Sequence, residues 1–438
     1  MSRGFRPWDV DQVWLLPPSV SEFVAEDHVA HFVRELVRTE LDVSAIHESY
    51  GVSRGQPPYH PTMMVALLLY AYTQGIYSSR RISRACEQRL DFMAVTGMQK
   101  PDFRTVSDFR KRHLSELEEL FLQVLLLCRQ AGLVSLGHVA LDGSKVHANA
   151  SRRKSIQYKN YEKVEQKLKA KVRAAMANAE RADGAEDEEH GDQREDHLPA
   201  WVGKAQLRIE KLRAAKKELE DRAATEEAKR EASTSETRLK KDGTPRKKSG
   251  PKTAKGATRT RNKMQYNFTD PESRIMRTPL GFEQSYNAQI VVDRDNQIIV
   301  SRGLSDSSDD QASLPPMLEQ LLSNVGEPDE FSADAGYNAE ANLALLAQRG
   351  IKAFVPVASP HHGTSVPRTP HRGEMAERML KPNAKDRYRL RSSTVEPVFG
   401  QIKHARGFRQ FLLRGAVKVR AEWTLICTAH NILKLARA

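Results

Sequence analysis

Two stretches with the texture of buried strands, HVALDGSKVHANA at 138–150 and SYNAQIVVD at 285–293, are held apart by a long charged segment. From about 152 to 232 the chain is Lys, Arg, Glu and Ala with sparse Leu, Val and Ile, the composition of a long exposed helix or helical hairpin. Its middle, AEDEEHGDQREDH (185–197), reads as an acidic, disordered turn-around. Residues 240–263 carry ten Lys/Arg against one Asp among Gly, Pro, Ser and Thr, a flexible basic linker. Any fold for this chain is therefore a core interrupted after its first strand. Residues 152–263 form the insertion, with too few apolar residues for a core of their own.

The remainder reads as folded. Residues 1–135 are helical by apolar spacing and start signals, with helices expected at about 21–37, 61–72, 78–89 and from Thr105 to Gly132. Beyond the insertion come a hairpin (285–304), a helix (310–323), a strand into EFSADAGY (330–337) and a helix (338–349). A strand (351–357), a His/Pro/Gly loop and helices at 393–406 and 416–436 complete the chain. This alternation predicts an α/β core, a mixed five-stranded sheet with flanking helices, beside an all-α N-terminal domain and a charged helical insertion. The domains are expected at 1–135, 136–151 with 264–438 as the core, and 152–263.

Charge narrows the partner. With 69 Lys+Arg against 56 Asp+Glu the formal net charge is +13, which favours a polyanion, nucleic acid first. Arg80, Arg81 and Arg84 lie on one expected helix, and Arg110 and Lys111 on another, so the pair could read DNA as a helix-turn-helix does. A solvated basic face is the equally weighted alternative. Arg246, Lys247 and Lys248 in the linker would neutralise phosphates without regard to sequence. Cys86, Cys128 and Cys427 are too few and too scattered for a disulfide framework or a zinc ribbon, so a reducing, cytoplasmic setting is expected. The apolar runs at 63–72 and 120–128 are too short to span a membrane.

Two acids end apolar strands in similar settings: Asp142 in VALDGSK and Asp334 in FSADAGYN. Taken singly, either could be a turn former. On adjacent strands they would share one sheet edge, and Glu396, opening VEPVFGQIK, could supply a third carboxylate. Three hard oxygen donors suit Mg²⁺, and two such ions can clamp both oxygens of a phosphodiester in transfer. Helical spacing puts Lys403 on the stripe of Glu396. Lys145 and His147 could line the site or face water, His361, His362 and His371 lack ligand-spaced partners, and Tyr286 and Tyr337 read as packing residues.

YRLRSSTVEPVFGQIK (388–403) resembles the C-terminal signature of DDE transposases of bacterial insertion sequences: Tyr, two residues, Arg, three, Glu, six, Lys. Tyr388 and Arg391 keep the first spacing and Glu396 and Lys403 the last, while four residues separate Arg391 from Glu396. LDGSKVHANA and ADAGYNAE resemble the two Asp strands of that family, and PDFRTVSDFRKRH with the helices before it resembles its N-terminal domain. The resemblance implies a core of ribonuclease-H type and a triad of Asp142, Asp334 and Glu396 holding two Mg²⁺, which Mn²⁺ can replace. It puts Lys403 and Arg391 near the DNA phosphates. It further implies double-stranded DNA, both element ends and target, as partner, and a homodimer or larger assembly in the cytoplasm on the nucleoid. An inactive end-binding protein and a nuclease of the same fold are the alternatives.

Overall fold

Helices open the part of the chain that the computed structural model describes, which is residues 19–50, 57–190, 200–234, 261–279, 281–357 and 369–438. α1 (Val29–Glu35) runs into a π-helical turn, α2 (Ser44–Glu48) is short, and α3 (Pro61–Thr73) starts with a proline and is buried along most of its length. α4 (Ser79–Gln88), α5 (Leu90–Thr96), α6 (Phe103–Arg112) and α7 (Leu114–Gln130) follow. The carboxylate of Asp102 accepts the amides of Arg104 and Thr105, so α6 begins at Phe103, two residues ahead of the expected start. At His113 (φ −108°, ψ 42°) the expected single helix breaks into α6 and α7. Gly132, at φ +73°, stops α7 as anticipated.

β1 (His138–His147) comes next. The segment between it and the rest of its sheet holds β2 (Ser155–Gln157), α8 (Tyr161–His190), α9 (Ala200–Thr234) and β3 (Gln265–Asn267). β4 (Arg274–Thr278), β5 (Gly281–Asp293) and β6 (Ile299–Ser305) are followed by α10 (Leu314–Asn324), β7 (Glu330–Ala333), α11 (Glu340–Gln348) and β8 (Lys352–Phe354). α12 (Pro370–Leu380), α13 (Pro382–Thr394), α14 (Glu396–Gly400) and α15 (Ala416–Leu435) close the chain. α12 and α13 stand where the sequence predicts largely loop. Each starts on a proline, which tolerates the first helical turn because its missing N–H has no partner there anyway.

The main sheet runs β4-β5-β1-β7-β8, with β6 also on β5, so it has one strand more than the five expected. β5 is antiparallel to β1 and to β6, whereas β7 is parallel to β1 and β8 parallel to β7. The chain divides into two compact units, 1–149 with 275–438, and 150–274. The expected boundary at 135 is therefore not a unit boundary. Its cause is α15, whose Trp423, Leu425, Ile426, Cys427 and Ile432 are all buried, and which packs on α3, α7 and β6 alike. All three cysteines are free and buried. Among the described residues no helix is long and apolar enough to cross a membrane.

The second unit corrects another expectation. α8 and α9 pack on each other as a hairpin, but the segment does build a core: Tyr161, Leu212, Ala215 and Leu219 are buried, with Tyr158, Leu168, Met264 and Tyr266 packed against them. The small β2–β3 sheet supplies part of that cover. The basic linker, with Arg246, Lys247 and Lys248, lies outside the described residues, as does most of the acidic turn-around.

Candidate active site

Register brings the two aspartates together. Leu141 of β1 pairs with Ala333 of β7 in the parallel ladder, and the next residue on each strand is Asp142 and Asp334. The extended backbone of Asp334 (φ −75°, ψ 175°) carries the strand direction one residue past β7. Asp334 caps a local turn by accepting the Gly336 amide at 2.8 Å, whereas Asp142 accepts the Gly143 amide at 2.8 Å from within β1, which runs on to His147 instead of turning there as expected. The turn-forming role therefore holds for Asp334 alone, while the shared edge holds for both.

Helices deliver the other charges. α13 brings Arg391, whose Nη1 donates to Asp142 Oδ2 at 2.7 Å and whose Nη2 reaches Glu396 Oε1 at 3.5 Å. The extra residue between Arg391 and Glu396 is absorbed at the joint of α13 and α14, where Val395 is buried. Glu396 opens α14, its side chain 55% exposed. The expected single stripe from Glu396 to Lys403 is altered by a π-helical turn at Gln401–Ala405, which shifts the angular position of Lys403. Lys403 Nζ still reaches the edge, donating to Ser144 Oγ at 2.5 Å and to the Lys145 carbonyl at 2.8 Å.

Electrostatics follow from this packing. Burial pushes the Asp142 carboxyl up to about 6; the Arg391 charge opposes the shift and the Asp334 charge adds to it. Burial also raises Asp334, with Asp310 adding to it. Burial, and then the charge of Lys145, bring the Lys403 amine down to about 8 against the pull of Asp142. Burial disfavours the Arg391 charge, and Asp142 together with Tyr388 more than restores it.

Sequence reasoning missed a polar layer on the other face of β1. Asn287 and Gln289 of β5, opposite Lys145 and Gly143, donate to Asp310 Oδ1 at 2.5 and 2.9 Å, and Lys145 Nζ stands 3.5 Å from the same oxygen. Tyr337, read as packing, is buried and donates its hydroxyl to Gln289 Oε1. Asp310 sits in SDSSDDQ, whose only visible signal is that of a polar loop before a helix.

The donors here suit a hard divalent cation in type, carboxylate oxygens whose ionised form burial disfavours at Asp142 and Asp334, and a guanidinium sits against Asp142 and Glu396. The three acids are not gathered into a closed ligand set: among the described residues no group of three or more His, Cys, Asp and Glu side chains is close enough to hold a metal ion.

Among the DNA-binding candidates, Arg80, Arg81 and Arg84 are exposed on α4, which packs against α6, and the guanidiniums of Arg80 and Arg104 flank the Phe103 ring at 5.1 and 5.7 Å. Lys111 is exposed and 3.4 Å from Asp108. Arg110 is a correction. It is buried, donating to the Tyr72 hydroxyl and the Tyr77 carbonyl at 2.9 and 3.0 Å, so its charge serves the interior.

A mixed sheet with a paired-aspartate edge, answered by a glutamate, an arginine and a lysine from flanking helices, defines an α/β protein with a polar, charged cluster at that edge. Comparison with known families is more particular. Residues 18–112 match a transposase domain (DUF772) and residues 361–436 match a transposase DDE domain. Both matched segments are thus similar to transposase domains, the second to the DDE domain of mobile-element transposases. The second match holds Tyr388, Arg391, Glu396 and Lys403, while Asp142 and Asp334 lie outside both. No curated protein and no solved structure matches the chain.

Proposed function

We propose that this chain is a transposase that binds the terminal inverted repeats of its element, cuts at them and joins the freed 3′ hydroxyl to target DNA at one metal-dependent site made by Asp142, Asp334 and Glu396. The observation that carries the reading is the in-register pair Asp142 and Asp334, with Arg391 bonded to both Asp142 and Glu396. Three antiparallel strands followed by two parallel ones support a ribonuclease-H-type core, with β4 as an addition at its edge. Bound by the three carboxylates, Mg²⁺ ions, two in number and replaceable by Mn²⁺, would supply Lewis-acid activation of the phosphodiester.

The remaining chemistry belongs to the chain. Arg391 opposes the burial that raises the Asp142 carboxyl and links it to Glu396 through one guanidinium. Lys403, fixed by Ser144 and the Lys145 carbonyl, presents an ammonium to a phosphate at that edge. Arg80, Arg81 and Arg84 give α4 a cationic face for the element end, with Lys111 beside it. Cleavage and joining share the site because both are in-line attacks that differ only in the nucleophile. A pair of subunits holding two ends is the assembly this function calls for, in the cytoplasm where the DNA lies.

The test is incubation of the full chain with Mg²⁺, a pre-cleaved element end and a supercoiled plasmid. Joined product from the parent, and none from Asp142→Asn, Asp334→Asn or Glu396→Gln with end binding retained, is the expected result. Nicking without joining would mean a nuclease, and binding without either an end-occluding protein.

A further inference from the structure

The 150–274 unit carries cations that its own acids do not answer. Several cations of its helix pair are matched: Lys169 and Arg213 with Glu165, Lys216 with Glu162, and Arg222 with Glu218. Lys204, Arg208 and Lys211 differ. They lie at helical spacing on one exposed stripe of α9, and Arg153 and Lys154 from the turn before β2 join them around a groove of about 530 Å³. Among the described residues none of these five forms an ion pair, and no acid lines the groove.

The same groove has an apolar side. Leu207, on the cationic stripe, is 58% exposed, and Phe268 is 37% exposed beside Ile156. The Phe268 amide is fixed to the Lys154 carbonyl at 3.2 Å and its ring stands edge-on to Tyr266 at 5.3 Å, so the ring is positioned against the basic turn. Cations alone suit any polyanion. An exposed aromatic ring and a leucine among them suit one whose charges alternate with flat apolar faces, and duplex DNA keeps those faces hidden in its stack.

We propose that this groove binds single-stranded DNA, with phosphates on Lys204, Arg208, Lys211, Arg153 and Lys154 and an unstacked base against Phe268 and Leu207. The inference rests on the reading of the chain as a DNA-cutting transposase for the source of the strand, since cutting frees strand ends. The groove lies wholly within the 150–274 unit and includes none of the residues assigned to the chemistry.

The experiment uses the full chain without metal, with labelled oligothymidine and a random duplex followed by anisotropy across a salt series. Lys204→Gln/Arg208→Gln/Lys211→Gln should weaken oligothymidine binding at least tenfold and flatten its salt slope by about 2, given roughly 0.7 per neutralised phosphate on single strands. Phe268→Ala should weaken oligothymidine by about tenfold, leave duplex binding alone and keep the salt slope. Phe268→Trp adds one indole to the chain's four tryptophans, and its fluorescence in excess of the parent's gives a local readout: quenched by oligothymidine and untouched by polyglutamate. Melting curves matching the parent qualify each variant, and if the triple variant does not fold, the two Phe268 variants decide. An unquenched indole signal in Phe268→Trp, equal loss on duplex from Phe268→Ala, or quenching by polyglutamate to the same degree overturns the proposal. End cleavage measured on the same preparations keeps the two readings apart. A parent that cuts ends but shows no quenching in Phe268→Trp loses only this groove, and one that quenches but never cuts loses only the transposition chemistry.

Discussion

Arg391 and Asp142, 249 residues apart in sequence, are joined at 2.7 Å, and that bond ties the C-terminal helices to the first strand of the sheet. Both partners are largely buried, with side chains 15% and 19% exposed, so the contact is screened less than a surface ion pair. It also gives the guanidinium two carboxylates to serve at once, because Glu396 lies 3.5 Å from its other arm.

Arg391→Gln should therefore lower Mg²⁺-dependent cleavage by about 100-fold through misplacement of the Asp142 carboxylate, with end affinity changed far less. Arg391→Lys should recover only part of the rate, since an ammonium is a point charge and cannot fork to two carboxylates. Rates measured at saturating DNA check this, and full recovery by lysine would reduce Arg391 to a simple counter-charge.

Burial raises the Asp142 carboxyl from 3.8 to about 6 in the metal-free fold. A raised folded value means that the stabilisation is complete below the unfolded value near 3.8 and is lost as pH rises through about 6. The difference of about 2 units corresponds to roughly 3 kcal/mol. Asp142→Asn should consequently melt higher than the parent at pH 8 without metal, and the advantage should vanish by pH 4. A melting temperature that tracks the parent across this range would show that the aspartate carries no such strain.

Much of this arrangement was legible before any geometry. Asp142 and Asp334 each follow an apolar run and precede a glycine, so a strand-edge pair could be read from local texture. Which strands would be neighbours could not, because the β1–β7 ladder joins residues about 192 positions apart and depends on the whole sheet. Arg110 was misread because Arg104, Arg110, Lys111 and Arg112 look alike in sequence, and only packing against Tyr72 and Tyr77 selects one for the interior. The small core of the second unit was missed for a related reason. Tyr161 and Leu212 are isolated apolar residues in charged runs until α8 and α9 pair.

Lys403 offers a second pH signature. Its amine, lowered to about 8, is charged below that value and neutral above it in the free protein. Where a phosphate requires the charged form, affinity should be flat below pH 8 and should fall as pH rises beyond it, up to the higher value of the bound amine. Lys403→Met should remove that fall and bind more weakly at pH 7. Titrating end affinity from pH 6.5 to pH 9.5 tests it, and an identical slope in both proteins would detach Lys403 from DNA.

Gly143 is held to glycine by its neighbours. A Cβ there would sit 2.2 Å from Gln289 Nε2 and 2.8 Å from Asn287 Oδ1, and both side chains are buried and bonded to Asp310. Gly143→Ala should cost about 1–3 kcal/mol by overpacking. It should also slow cleavage by displacing the strand beside Asp142. Urea midpoints and cleavage rates together check this, and a variant that is neutral in both would mean that Gln289 has room to move.

Arg110 provides the sharpest separation of structure from DNA contact. Its guanidinium is buried and held by Tyr72 and the Tyr77 carbonyl, and its charge lowers the carboxyl of Glu422, which burial raises. Glu422 is itself fully enclosed, accepting the amides of Leu412 and Leu413 at 2.9–3.1 Å. Arg110→Ala removes the cation and leaves a buried hydroxyl and a buried carboxylate with less compensation, a change that costs on the order of 3–5 kcal/mol. Arg81→Ala, on the exposed face of α4, should leave stability within about 0.5 kcal/mol while weakening end binding. Chemical denaturation and end-binding isotherms on the two variants should thus give opposite patterns. If Arg110→Ala kept the parent's stability and lost only DNA affinity, the interior role assigned to that residue would be wrong.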